Sequence, residues 1–182
     1  QLGYSKEKMK IIFNGFDSKK FKKNIKIRNA IRSKLNISKD CFLIGCFARN
    51  HPQKDHKTLV IAFDMLLKNK INTKLLLIGD QISKICLENL YEQNKKRIIL
   101  LKPTNQINHM YNAIDLFVLS SIGYEGFPNV LAESMLTEKY CLSTDVGDSR
   151  RILNKYGKIF KKKDIKNLFN KILEILDKKN TY

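Results

Sequence analysis

From residue 41 onward, short apolar runs alternate with segments whose apolar residues recur every three or four positions. The runs Phe42–Ala48, Lys74–Ile78, Arg97–Leu101, Leu116–Ser120, Tyr140–Thr144 and the shorter Gly157–Phe160 are apolar almost throughout and predict buried strands. Helical spacing falls between them, over His56–Leu67, Ser83–Asn94, Gln106–Ala113 and Asn129–Leu136. A closing helix is predicted over Asp164–Leu176, with Asp164 as N-cap and Ile165, Leu168, Phe169, Ile172, Leu173, Ile175 and Leu176 on one face.

Strands and helices in alternation predict a parallel sheet covered on both sides, a Rossmann-like three-layer α/β/α domain. The first forty residues read differently. Met9–Phe13 predicts a short strand, Asn14-Gly15-Phe16-Asp17 a turn, and a basic stretch then leads to a helix near Ile27–Leu35. Residues 1–40 are therefore taken as a lead-in segment and residues 41–182 as the domain body. The chain opens on Gln1 and is expected to be a piece of a longer protein.

Charge changes the picture less than its size suggests. Thirty-five Lys and Arg against 17 Asp and Glu give +18, but only Arg28, Arg32, Arg49, Arg97, Arg150 and Arg151 are arginine. Nucleic-acid binding leans on arginine forks, so nucleic acid ranks last among partners. The lysines, set among many Ile and Asn, read first as solvated faces with a compositional bias. Attraction to an anionic membrane surface comes second. No run of eighteen apolar residues predicts a membrane span. Cys41, Cys46, Cys86 and Cys141 show no Cys-x-x-Cys spacing and are expected to be reduced core residues of a cytoplasmic protein.

A parallel sheet binds its ligand at the carboxyl ends of its strands. Two constellations stand there. Arg49 ends one strand, and Lys54 follows five residues on; a fork and a point charge together can neutralise a diphosphate. Glu125 and Glu133 frame Glu125-Gly126-Phe127-Pro128-Asn129-Val130-Leu131-Ala132-Glu133, read as loop, helix start and helix, with Pro128 suited to the first helical position. Free amides from Phe127 to Leu131 make an anion site. Two carboxylates beside an anion site fit a ligand that offers hydroxyls as well as phosphates, as a nucleotide-sugar does. The plainer alternative is a capping carboxylate and a surface glutamate. His51, His56 and His109 read as loop, surface or core residues, Asp115 as a residue that ends or caps structure, and Tyr124 as an exposed loop tyrosine.

These motifs resemble the C-terminal, donor-binding domain of GT-B retaining glycosyltransferases of the family 4 (group 1) type. The resemblance spans nearly the whole chain. It runs through Ile12–Asp17, Arg49 and Lys54 as Arg-x4-Lys, Leu77–Asp80, Asp115–Ser121, Glu125 to Glu133 as Glu-x7-Glu, Thr144–Gly147 and Tyr156-Gly157. It implies that Arg49 and Lys54 stabilise the departing nucleoside diphosphate, that Glu125 holds the donor sugar and that Glu133 binds the ribose. Gly126, Phe127, Pro128, Asn129, Val130 and Leu131 would line the sugar–phosphate pocket, and Lys102 would face the base. It further implies a UDP- or GDP-sugar donor as substrate and no cofactor or metal. The acceptor would be a glycan or lipid-linked glycan, met at the cytoplasmic face of a membrane, in surface polysaccharide or glycoconjugate synthesis. The missing acceptor-binding domain would lie N-terminal to Gln1, and residues 1–40 would lead in from the interdomain linker.

This chain departs from the family at Gln81 and Lys102, where glycine is frequent, and at Glu138 and Tyr140, where Gly and Pro are usual. Glu138 is thereby expected to take a left-handed helix end. Two other classes share the architecture or the ligand: nucleotide-sugar 2-epimerases, and modules that hold a nucleotide-sugar without turnover.

Overall fold

The computed structural model describes residues 7, 10, 12, 14–84, 87, 90 and 92–179. All six predicted strands form: β1 Phe42–Phe47, β2 Thr73–Ile78, β3 Ile98–Leu101, β4 Leu116–Leu119, β5 Tyr140–Thr144 and β6 Gly157–Phe160. They make one parallel sheet in the order β3-β2-β1-β4-β5-β6. The helices are α1 Ile25–Lys34, α2 His56–Lys68, α3 Glu92–Lys95, α4 Ile107–Ala113, α5 Asn129–Leu136, α6 Ser149–Leu153 and α7 Ile165–Lys179.

The unbroken apolar strands follow from burial on both faces. Alternate residues of a strand point to opposite sides. In β1, Phe42, Ile44 and Cys46 join one core with Leu59, Phe63 and Leu66 of α2 and Leu168 and Ile172 of α7. Leu43 and Phe47 join the other with Ile31 of α1, Tyr111 of α4, Leu131 of α5 and Leu153 of α6. The sheet is the middle of three layers, as the alternation predicts.

The segment before β1 is built into this body. Asn24 caps α1 by accepting from the Ile27 N–H at 3.1 Å. Arg28 and Arg32 reach Asp115 at 2.7 and 3.2 Å, and Asp115 also accepts from the Leu43 N–H at 2.8 Å. Asp115 thus ties α1 to the start of both central strands and has a structural role. The strand expected over Met9–Phe13 lies outside the described residues apart from 10 and 12.

Three details differ from the sequence reading. No single helix spans Ser83–Asn94; the described residues carry a 3-10 turn, Ile82–Lys84, and the short α3. Two turns that drop Ile82 and Leu90 into the core beside α2 repeat the apolar spacing of a helix. Second, α6 has no counterpart in the sequence reading. Third, Pro128 is the N-cap of α5, not its first residue, at φ −73 and ψ 91. Its extended ψ turns the chain into the helix at Asn129. The thiols of Cys41, Cys46 and Cys141 are free and buried, while Cys86 lies outside the described residues. Among the described residues no helix is long and apolar enough to cross a membrane.

The strand order places the site. From β1 the chain winds outward through β2 to β3, and from β4 it winds the other way through β5 to β6. The loops after β1 and β4 therefore diverge and leave a crevice between them, at the carboxyl edge of the sheet.

Candidate functional site

One wall of the crevice is the β1–α2 connection. His51 caps the 3-10 turn Pro52–Lys54 by accepting the Gln53 N–H at Nδ1, 3.3 Å. Asp55, at φ 45, caps α2 by accepting from the Thr58 N–H and hydroxyl at 3.3 and 2.6 Å. Lys54 sits between these caps, so its backbone is fixed from both sides. Arg49 is held through its carbonyl, which lies 3.2 Å from Nε2 of the buried His56. A carbonyl only accepts, so Nε2 carries the proton and the bare Nδ1 faces the Cys46 thiol at 3.8 Å. Burial holds the His56 pKa below its ordinary value, against the pull of the Arg49 and Ala48 carbonyls. The Arg49 guanidinium has no acidic partner among the described residues.

The facing wall is the loop after β4. The Ser120 hydroxyl donates to the Lys54 carbonyl at 2.8 Å, and the Ile122 N–H to the Gln53 carbonyl at 2.8 Å. From the β5 side, the Thr144 hydroxyl donates to the Ser121 carbonyl and the Asp148 N–H to that of Gly126 at 2.9 Å. Gly147, at φ 49, lets that approach happen, because a Cβ there would run into the Glu125 and Gly126 carbonyls. The loop is thus fastened to both neighbours, and it carries Glu125. Glu125 Oε1 receives the Lys54 ammonium at 2.5 Å and the Ser121 hydroxyl at 2.6 Å. The two charged side chains keep only 22% and 13% of their exposure, so this pair is less screened than a surface one.

The floor is α5. Of the five residues from Phe127 to Leu131, Pro128 has no N–H and the Leu131 N–H already bonds the Pro128 carbonyl at 3.0 Å. That leaves the amides of Phe127, Asn129 and Val130 at the helix start. Leu131 is wholly buried and anchors the helix to the sheet. The Asn129 side chain accepts from Asn14 at 2.8 Å, and Phe127 stacks on Phe16 at 5.8 Å between centroids. Both contacts fix the lead-in turn on α5. A Cβ on Gly126 would meet nothing within 4 Å, so the loop surface there is open. One turn further on, Glu133 accepts the Tyr111 hydroxyl at Oε2, 2.8 Å.

The sheet therefore brings Arg49, Lys54, Glu125 and the start of α5 to one crevice, with Glu133 deeper along the helix. Lys102 stands apart. It is exposed after β3, at the same carboxyl edge but two strands from β1. Sequence reasoning missed Tyr111, and it placed Asn14, Ser121 and Gly147 within motifs without giving them a role at the site. Ser121, four residues before Glu125, offered a signal. Tyr111 offered none, since an aromatic on the apolar face of a helix reads as core.

The family described as glycosyl transferases group 1 matches residues 27–182. The chain belongs to that family. In this group 1 chain the crevice lies where the strand order reverses. Among relatives, the chain is 26% identical over 179 residues to the UDP-Gal:alpha-D-GlcNAc-diphosphoundecaprenol alpha-1,3-galactosyltransferase of Escherichia coli, covering 94% of this chain and 46% of that protein. The crystal structure of Anabaena Alr3699/HepE in complex with UDP and glucose superposes with a TM-score of 0.80 at 24% identity, over 98% of this chain and 50% of that one. The C-terminal domain of a group 1 glycosyl transferase, LpcC of Francisella tularensis, superposes with a TM-score of 0.72 at 21% identity, over 90% of this chain and 88% of that one. The group 1 chain thus spans about half the length of its full-length relatives, and its fold is that of one half of a GT-B transferase.

Proposed function

We propose that this chain is the donor half of a glycosyltransferase that binds a UDP-sugar. The sugar would pass, with retained anomeric configuration and without a metal ion, to a hydroxyl of a glycan or lipid-linked glycan. The work would take place at the cytoplasmic face of a membrane, in surface polysaccharide or glycoconjugate synthesis. The observation that carries this reading is the contact of Lys54 with Glu125 across the crevice. An ammonium has three donors. One goes to Glu125 and two remain for phosphate oxygens, so one lysine links a phosphate-binding position to a sugar-binding one.

The remaining roles follow from position. Arg49 supplies a fork to the diphosphate from the end of β1. The amides of Phe127, Asn129 and Val130 supply the positive end of α5, so negative charge that develops on the leaving diphosphate meets donors already in place. Glu125 accepts hydroxyls of the donor sugar, and Glu133 accepts the ribose diol. The UDP assignment is supported by what two relatives are said to use or hold: a UDP-Gal donor in one, and UDP with glucose in the other.

Calorimetric titration with UDP, GDP and ADP tests this. UDP is expected to bind most tightly, and Arg49→Ala and Glu133→Ala are each expected to weaken it by about tenfold, the loss of a hydrogen bond to a charged group. If both variants bind UDP like the unaltered chain, the site is elsewhere.

A further inference from the structure

Tyr111 is wholly buried, yet its side chain ends in a polar group. Its ring packs in α4 against Phe47 at 4.7 Å, Phe117 at 5.8 Å and Phe21 at 6.1 Å between centroids. Packing alone would be met by phenylalanine, and a buried hydroxyl needs a partner to offset its lost hydration. Among the described residues the hydroxyl donates to Oε2 of Glu133 at 2.8 Å, 22 residues away on the next helix. We propose that Tyr111 is a positioning residue for Glu133, holding its carboxylate in the one orientation that presents both oxygens to the cis-diol of a ribose. The inference rests on the ribose reading of Glu133 given above.

The geometry carries it in three steps. Phe47 and Phe117 belong to β1 and β4, so the tyrosine ring is fixed to the same two strands whose ends build the crevice. Phe47 stands two residues before Arg49. The hydroxyl therefore sets Glu133 relative to the phosphate-binding arginine, and not only relative to its own helix. Oε2 accepts the Tyr111 hydrogen on one lone pair and keeps another, while Oε1 keeps both. The two diol hydroxyls can then be received one on each oxygen. Glutamate otherwise rotates broadly about its last torsion and must lose that freedom when it binds. Burial, helped by the Glu133 charge, keeps the phenol pKa well above its ordinary value, so Tyr111 remains a donor through neutral pH.

Titration of the full chain with UDP and with 2′,3′-dideoxyuridine diphosphate tests the role. Tyr111→Phe keeps the ring and removes only the donor. It is expected to weaken UDP by about five- to tenfold, the cost of ordering a Glu133 side chain that Tyr111 no longer holds. It is expected to leave the dideoxy nucleotide, which has no diol to place, bound as by the unaltered chain. Equal losses for both nucleotides would mean a disturbed domain and would overturn the inference, as would no loss for either. Glu133→Ala separates the two levels. If it does not weaken UDP, the ribose reading itself falls; if it does and Tyr111→Phe does not, only the role of Tyr111 falls.

Discussion

His56 holds the Arg49 carbonyl through Nε2 and turns its bare Nδ1 to Cys46, whose thiol burial pushes up to about 12 and so keeps protonated. A proton on Nδ1 would replace that acceptor with a buried cation. Asp55 pulls the histidine pKa up and Lys54 pushes it down, but burial is the largest influence and the pKa lies below the unfolded value. A group with a depressed folded pKa contributes stability that is complete above its unfolded pKa, about 6.5 for histidine, and is lost as pH falls below it. Urea unfolding is thus expected to show the unaltered chain losing stability between pH 7.5 and pH 5.5, beyond any loss in His56→Asn over the same window. Parallel curves for the two would rule His56 out as the cause. The same residues show what a sequence reveals at this scale. Arg49, Lys54 and Glu125 were legible because each follows a strand whose end the apolar pattern marks. Contacts between other distant positions were not. Asn14 and Asn129 lie 115 positions apart, and only the folded chain shows that they touch.

Turns and helix ends set the backbone on which the site stands, and several share a left-handed conformation, among them Gln81 at φ 52, Glu138 at φ 57 and Gly147 at φ 49. Gln81 and Glu138 are two of the positions where the family resemblance led to glycine. The backbone has kept the geometry while the residue changed, so each carries the strain of a side chain in the left-handed region, about 1–2 kcal/mol. Glu138 pairs with Lys23 at 2.8 Å, but both side chains are 63% exposed and such a pair adds little. Glycine regains part of the strain and loses part to a freer unfolded chain. Glu138→Gly is therefore expected to raise stability by about 0.5–1 kcal/mol. Gly147→Ala should do the reverse, losing about 2 kcal/mol or more, because its new Cβ meets the Glu125 and Gly126 carbonyls as well as the wrong φ. It should also weaken binding of the proposed UDP-sugar donor, since the carbonyls it would meet belong to the loop that carries Glu125. A Gly147→Ala chain as stable as the original would show that the close approach is not required. The left-handed end at Glu138 was legible from sequence because one missing glycine pointed to it. The segment after β2 was not, because buried turns at Ile82 and Leu90 imitate helical spacing.

At the scale of the whole molecule the fold gathers part of the basic charge on one edge, a placement composition could not give. Every strand is parallel, so all six carboxyl ends lie on one edge of the sheet. That edge carries Arg49 and Lys54 after β1, Lys102 after β3 and the exposed Lys161, Lys162 and Lys163 after β6. The crevice that would receive a nucleotide-sugar thus opens on the same rim as a run of exposed lysines, with Asp80, Asp145 and Asp148 also along it. A lipid-linked acceptor would sit in a surface of anionic headgroups, and a rim docked there would bring the donor to it. Each lysine near such a surface contributes about 1 kcal/mol, so three add roughly 3 kcal/mol, a hundredfold or so in partition. Other lysines share the load, and replacing Lys161, Lys162 and Lys163 with serine is expected to lower binding to anionic vesicles by about tenfold or more. Binding should be weak on zwitterionic vesicles and should fade in 1 M salt, where the screening length falls to about 3 Å. UDP affinity should stay unchanged in the triple variant, since none of the three lysines touches the crevice. Sedimentation that shows no salt-sensitive binding to anionic vesicles would remove the membrane from this account and leave the lysines as a solvated face. Binding that survives the triple substitution undiminished would move the docking surface away from the carboxyl rim.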